Sequence, residues 1–110
     1  MNSYPNQYTI TINKDVVKQQ KGRNRVYLII YRNNLTTAMK QLSGTAFKVY
    51  IYLASNQDGF TLGYSPQDIS NETGISKDSA RKALKEFEEK GFLVADKSHT
   101  KNLNFYEKMR

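Results

Sequence analysis

Apolar and polar residues alternate from Tyr8 to Ile12, with Tyr8, Ile10 and Ile12 set against Thr9 and Thr11. A period of two is the pattern of a strand with one buried and one wet face. A second strand is predicted over Val26–Arg32, VYLIIYR, which is β-branched or aromatic on both faces: Val26, Leu28 and Ile30 on one, Tyr27, Ile29 and Tyr31 on the other. A small domain can cover one such face with a helix. The other face, or an open strand edge, invites a second copy of the chain, so a homodimer through Tyr27, Ile29 and Tyr31 is expected. Between these strands, NKDVVKQQKGRNR contains Gly22, which permits a turn; the stretch forms either a cation-studded hairpin tip or a short helix over Asp15–Gln20.

From Leu35 the period changes. Leu35, Ala38, Met39 and Leu42 recur at helical spacing up to Ser43-Gly44. Ser43 is a suitable N-cap for a second helix running to about Ser55, with Phe47, Tyr50, Ile51 and Ala54 along one stripe and Leu53 beside it. NQDGFTLGY, with Gly59 and Gly63, breaks that helix and reads as a loop. A third helix starts at Ser65-Pro66, with proline at the first helical position where its missing N–H costs nothing, and ends at Gly74. A fourth starts from Ser76 and stops at Gly91. FLVAD and NLNFYE then form two strands joined by KSHTKN. This order predicts an α+β fold: a winged helix-turn-helix over residues 35–110, preceded by a basic β-hairpin or arm over residues 1–34, the whole forming one cooperative unit.

Charge sharpens the picture. The 110 residues carry a formal charge of +7, and such an excess attracts a polyanion, foremost nucleic acid. Residues 1–40 hold Lys14, Lys18, Lys21, Arg23, Arg25, Arg32 and Lys40 against Asp15 alone, a net of +6. Ten basic and nine acidic residues follow, so the first third holds nearly all of the field. Hydrophobic and charged fractions of 38% and 25% fit a folded chain. No apolar run reaches the ~20 residues of a membrane span, and the start, MNSYPNQYTITIN, lacks the pattern of a secretory signal, so a cytoplasmic location is expected.

In the third and fourth helices, Ile69, Thr73, Ile75, Ala80, Leu84 and Phe87 are placed to face inward. Lys77, Asp78, Ser79, Arg81, Lys82 and Lys85 are then left outward, several of them types that bond phosphates and base edges. With Ser76, Ser79, Arg81 and Leu84 in the form S-x-x-[ST]-x-R-x-x-L, and EEKGFLV leading to the last strands, the stretch from Leu42 to Tyr106 resembles the winged helix-turn-helix superfamily. Within it, LSGTAFKVYIYLASN and SPQDISNETGISKDSARKALKEFEEKGFLV look most like small plasmid and phage proteins. These are replication-initiation proteins or relaxosome accessory proteins of the TcpK-like kind. The resemblance implies double-stranded DNA as partner, read by Lys77, Ser79, Arg81 and Lys82 with the wing residues Lys97, His99 and Lys101. It also implies a relaxase or replication protein as the factor that supplies any chemistry.

The presumed reading helix departs from the usual pattern in one respect. Ser76–Lys90 carries five cations against four anions, Asp78, Glu86, Glu88 and Glu89. Affinity for duplex DNA is dominated by phosphate neutralisation, so Lys14, Lys18, Lys21, Arg23, Arg25 and Arg32 are expected to supply most of it. The helix is expected to add at most part of the specificity; in a stronger version the hairpin alone reads the groove.

Zero cysteines and a single histidine, His99, leave no thiolate site, no His pair and no expected metal or cofactor. His99 reads first as a solvent-exposed wing residue. Glu88 and Glu89 are adjacent on a helix and diverge, so they do not form a catalytic pair; no enzyme activity is expected. Tyr27, Tyr31, Tyr50 and Tyr52 fit core or interface packing better than base stacking. The alternatives are a small transcriptional repressor and, from a different class, a winged-helix protein-interaction module with an acidic partner.

Overall fold

The computed structural model describes residues 8–15, 29–56, 58–96 and 102–109. In chain order the elements are β1 (Tyr8–Asn13), α1 (Arg32–Gln41), α2 (Gly44–Ala54), β2 (Thr61–Tyr64), α3 (Pro66–Thr73), α4 (Lys77–Lys90), β3 (Leu93–Ala95) and β4 (Asn102–Tyr106). The strands form one sheet in the order β2-β1-β4-β3. β3 and β4 are the antiparallel wing, and β1 extends it by pairing parallel to β4 on one side and antiparallel to β2 on the other.

The helix boundaries follow the local signals. Ser43, Ser65 and Ser76 each cap a helix by accepting from a backbone N–H three residues on, and Ser65 forms a full capping box with Asp68. Gly74 and Gly91 end α3 and α4 in the left-handed region, at φ 82° and 85°. The winged helix-turn-helix architecture is therefore as the sequence pattern predicts.

Three expectations are corrected. The second strand does not extend over residues 29–31, which carry no strand, and Arg32 already opens α1. Local β-propensity is overridden here by tertiary contacts: Tyr31 N–H and Asn34 Nδ2 both donate to the Glu107 carboxylate, and Leu35 N–H closes the first helical turn on the Tyr31 carbonyl. Residues 26–28 lie outside the described part. Secondly, Thr61–Tyr64 is a strand, β2, not a loop. Gly59, at φ 81°, makes the turn that aims it at β1, and Gly59 N–H donates to the Ile12 carbonyl at 2.7 Å while Ile12 N–H donates to Phe60. β1 thus sits inside the wing sheet between β2 and β4. Lastly, Lys14 is turned into the protein, as described below.

The core lies between the sheet and the helices. Ile10, Ile12, Leu103 and Phe105 face inward from the central strands, and Ile69, Ala80, Leu84 and Phe87 from the helix pair. Tyr50 stands at the centre: it stacks on Phe47 and meets Phe92 and Phe105 edge-on, each at 5.7 Å between ring centroids. Its hydroxyl donates to the Glu107 carbonyl at 2.7 Å. Burial pushes the Tyr50 phenol well above its ordinary value, and the Glu107 and Asp15 carboxylates add to the shift. The fold therefore favours the neutral phenol. This contribution is complete below pH ~10, the value of a free tyrosine, and is lost as the pH rises further. Tyr50→Phe is expected to give a shallower alkaline limb in stability against pH. It should also cost about 1–3 kcal/mol at neutral pH by leaving the Glu107 carbonyl unbonded, both read from urea titrations.

A candidate nucleic-acid interface

α3 and α4 are joined by Gly74, Ile75 and Ser76. Thr73 Oγ1 donates to the Ile69 carbonyl at 2.7 Å and lies 3.4 Å from Ile75 N–H, which ties the turn to the end of α3. Ile69 is buried below, Ile75 is half-buried, and the absence of bulk at Ala80 and Ala83 brings α4 close to its neighbours. On the opposite side of α4, Asp78, Lys82, Lys85 and Glu89 form an exposed stripe, flanked by exposed Lys77 and half-exposed Arg81. Arg81 is not idle there: its Nη1 donates to Asp78 Oδ1 at 2.8 Å. Ser79 is half-buried and lies 3.0 Å from the capping Ser76 hydroxyl.

Glu86 does not share this face. Its carboxylate accepts from Ser43 N–H at 2.8 Å and Ser43 Oγ at 2.9 Å, at the N-terminus of α2, where a negative charge is favoured. Lys90 lies 3.8 Å from Glu86 and also donates to the Gln41 carbonyl, so the end of α4 clamps the corner between α1 and α2. One of the four anions on α4 is thereby removed from the exposed stripe. Between α2 and α4 a cleft of about 230 Å³ is lined by Thr45, Ser79, Lys82 and Glu86 among others. Thr45 and exposed Lys48 on α2 were not among the predicted site residues.

The predicted anchors divide. Arg32 is exposed at the start of α1, beside Asp15 and Lys108. Lys14, expected to contact phosphates, is instead buried: its side chain is 2% exposed, donates to the Ala54 carbonyl and lies 3.8 Å from Glu107 Oε1. Burial lowers its pKa, and Glu107 and Asp58 oppose that shift. The physical reason is the carboxylate of Glu107, itself fully enclosed, which needs a cation and two hydrogen bonds where β4 ends. Glu107 was not anticipated, although the alternation Leu103, Phe105, Glu107 places it on the inward side. Asn34 completes the group by donating to Glu107 at 2.6 Å and Asp15 at 2.9 Å. Lys18, Lys21, Arg23, Arg25, Tyr27, Lys97, His99 and Lys101 lie outside the described residues.

Residues 40–93 match the family model of a helix-turn-helix domain. The match spans α2, α3 and α4 and the start of the wing. No curated protein and no solved structure matches the chain. The geometry and the family match together define a helix-turn-helix fold of the DNA-binding kind, set in an α+β domain with an N-terminal strand. Among the described residues, no helix is long and apolar enough to cross a membrane.

Proposed function

We propose that the protein is a sequence-specific binder of double-stranded DNA, an accessory factor that positions other proteins at a transfer or replication origin of a mobile element. The observation that carries the DNA-binding reading is the exposed, cation-bearing stripe of α4, presented by a helix-turn-helix whose Glu86 is turned away to cap α2. Most of the affinity comes from the basic N-terminal segment, Lys18, Lys21, Arg23 and Arg25, with Arg32 at its exit. The wing residues Lys97, His99 and Lys101 add contacts, and Lys77, Ser79, Arg81 and Lys82 supply base discrimination. The mobile-element role rests on the resemblance of residues 42–106 to plasmid and phage proteins. The protein acts in the cytoplasm without cofactor or reaction of its own, and a relaxase or replication enzyme performs the chemistry.

The reading includes a homodimer with Tyr27, Ile29 and Tyr31 at the contact. Its original cause, a strand apolar on both faces, does not hold over residues 29–31. What supports it is that Tyr31 is 48% exposed, one of five large apolar side chains in the open among the described residues. Tyr31→Ser is expected to shift the mass measured by light scattering from dimer to monomer; an unaltered protein that runs as a monomer at all concentrations would remove the dimer. DNA binding itself is tested by fluorescence anisotropy with a labelled duplex over a range of salt, where affinity must fall steeply as salt rises. A salt-independent affinity, or none, would favour the protein-interaction module.

A further inference from the structure

We propose that Asp78 and Arg81 act as one unit that reads a single G·C base pair, and that Asp78, the anion in the first turn of the exposed stripe, is what makes α4 selective. The inference rests on the DNA-binding reading and adds the base it recognises. Asp78 has a side chain 80% exposed and Arg81 one 38% exposed, and they are joined by the 2.8 Å contact between Oδ1 and Nη1. A surface ion pair at this spacing adds little to stability, so its fixed geometry is of more consequence for what it presents. Beyond that contact the guanidinium has further N–H donors and Asp78 has Oδ2 as a second acceptor, on two side chains that both reach solvent.

In the major groove a G·C pair shows two acceptors, guanine N7 and O6, followed by the cytosine N4 donor. Two donors from Arg81 and one acceptor from Asp78 match that row in order. An A·T pair shows acceptor, donor, acceptor and a methyl group. Against it, one Arg81 donor would meet the adenine amino group and the Asp78 carboxylate would meet thymine O4, so two groups would be desolvated without partners. Against phosphates alone the carboxylate is repelled. Asp78 thus weakens every complex except the one in which a base amino group meets it, which is how a carboxylate on a DNA-facing helix raises discrimination while lowering general affinity.

The test is selection of binding sites from a randomised duplex pool by the full chain, unaltered and as Asp78→Ala and Asp78→Asn, with anisotropy on an unselected duplex alongside. The unaltered protein is expected to enrich G·C at one fixed position. Asp78→Ala should lose preference at that position by about tenfold or more and bind the unselected duplex more tightly. Asp78→Asn, which offers a donor and an acceptor together, should move the preference towards adenine; a merely structural role for Asp78 would not change base identity. Both substitutions are at an exposed side chain, and helix content by circular dichroism confirms the fold. Enrichment of the same base at the same strength by Asp78→Ala would overturn the proposal. Duplex binding by the unaltered protein without any enriched G·C position would also overturn it while leaving the DNA-binding reading standing, whereas no duplex binding at all would remove both.

Discussion

Glu107→Ala is expected to destabilise the protein by about 3–5 kcal/mol, the cost of breaking a buried ion pair from one side. The carboxylate is enclosed where the end of β4 meets the end of β1 and the start of α1, and three groups depend on it. Lys14 loses its counter-charge while remaining 2% exposed, and Tyr31 N–H and the Asn34 amide lose an acceptor. A domain of this size has only about 5–15 kcal/mol in total, so the substitution removes a large part of it. The ion pair itself need not be the source of stability. Lys14→Met with Glu107→Gln keeps an acceptor for Tyr31 and Asn34 but leaves no unpaired charge, and it should recover most of the loss. Urea unfolding of Lys14→Met, Glu107→Gln and the double variant, beside the unaltered protein, gives the coupling directly. A Glu107→Ala protein within 1 kcal/mol of the unaltered one, as a rough threshold, would show that water reaches this site and that the group is not closed.

The second large effect concerns affinity. Replacing Lys21, Arg23 and Arg25 by Gln is expected to reduce the slope of log K against log salt by about 2–3, on the basis of about 0.9 per phosphate contact. Near 0.1 M salt that amounts to a loss on the order of a hundredfold. Replacing Lys77, Arg81 and Lys82 should cost less overall affinity but should collapse the difference between specific and unrelated duplexes. The asymmetry follows from the charge distribution: the cations of the N-terminal segment face almost no anions in sequence, whereas α4 retains Asp78 and Glu89 on its outer stripe. The reverse ranking would mean that α4 is the main anchor. Lys14 belongs to neither set, because its ammonium is committed to Glu107 and the Ala54 carbonyl.

How much of this was legible in the chain depends on the range of the interaction. The caps at Ser43, Ser65 and Ser76, the proline at the start of α3 and the glycines at 74 and 91 are decided within four residues. Their signals in the sequence and their geometry agree. The inward set Ile69, Ala80, Leu84 and Phe87 follows from helical periodicity. β2 did not show itself, because four residues with a glycine among them become a strand only when β1, some fifty positions away, offers its edge. The parallel pairing of β1 with β4 spans still more of the chain. The start of α1 was misjudged for the same reason: VYLIIYR has the local sequence pattern of a strand, and a carboxylate from the far end of the chain holds residues 31–34 in another conformation.

The candidate interface divides along the same line. Periodicity shows which α4 residues face out, but composition alone counts Glu86 against DNA binding, and only the packing of α4 on α2 shows it capping Ser43. The 2.8 Å contact that joins Asp78 to Arg81 is local, three residues apart on a helix, and in the sequence it appeared only as a charge that reduced the net of α4. In the structure the same charge becomes a candidate for base discrimination.

Binding of duplex DNA through the basic N-terminal segment and the outward face of α4 would leave a distinct footprint on the backbone amides. Backbone amide NMR of the labelled protein, titrated with a short duplex at low salt, tests it most directly. Shifts are expected to concentrate at residues 18–25 and 77–85, with further shifts at 97–102, while Lys14 and the strands around Glu107 remain unmoved. Absence of shifts across all of these residues would contradict it.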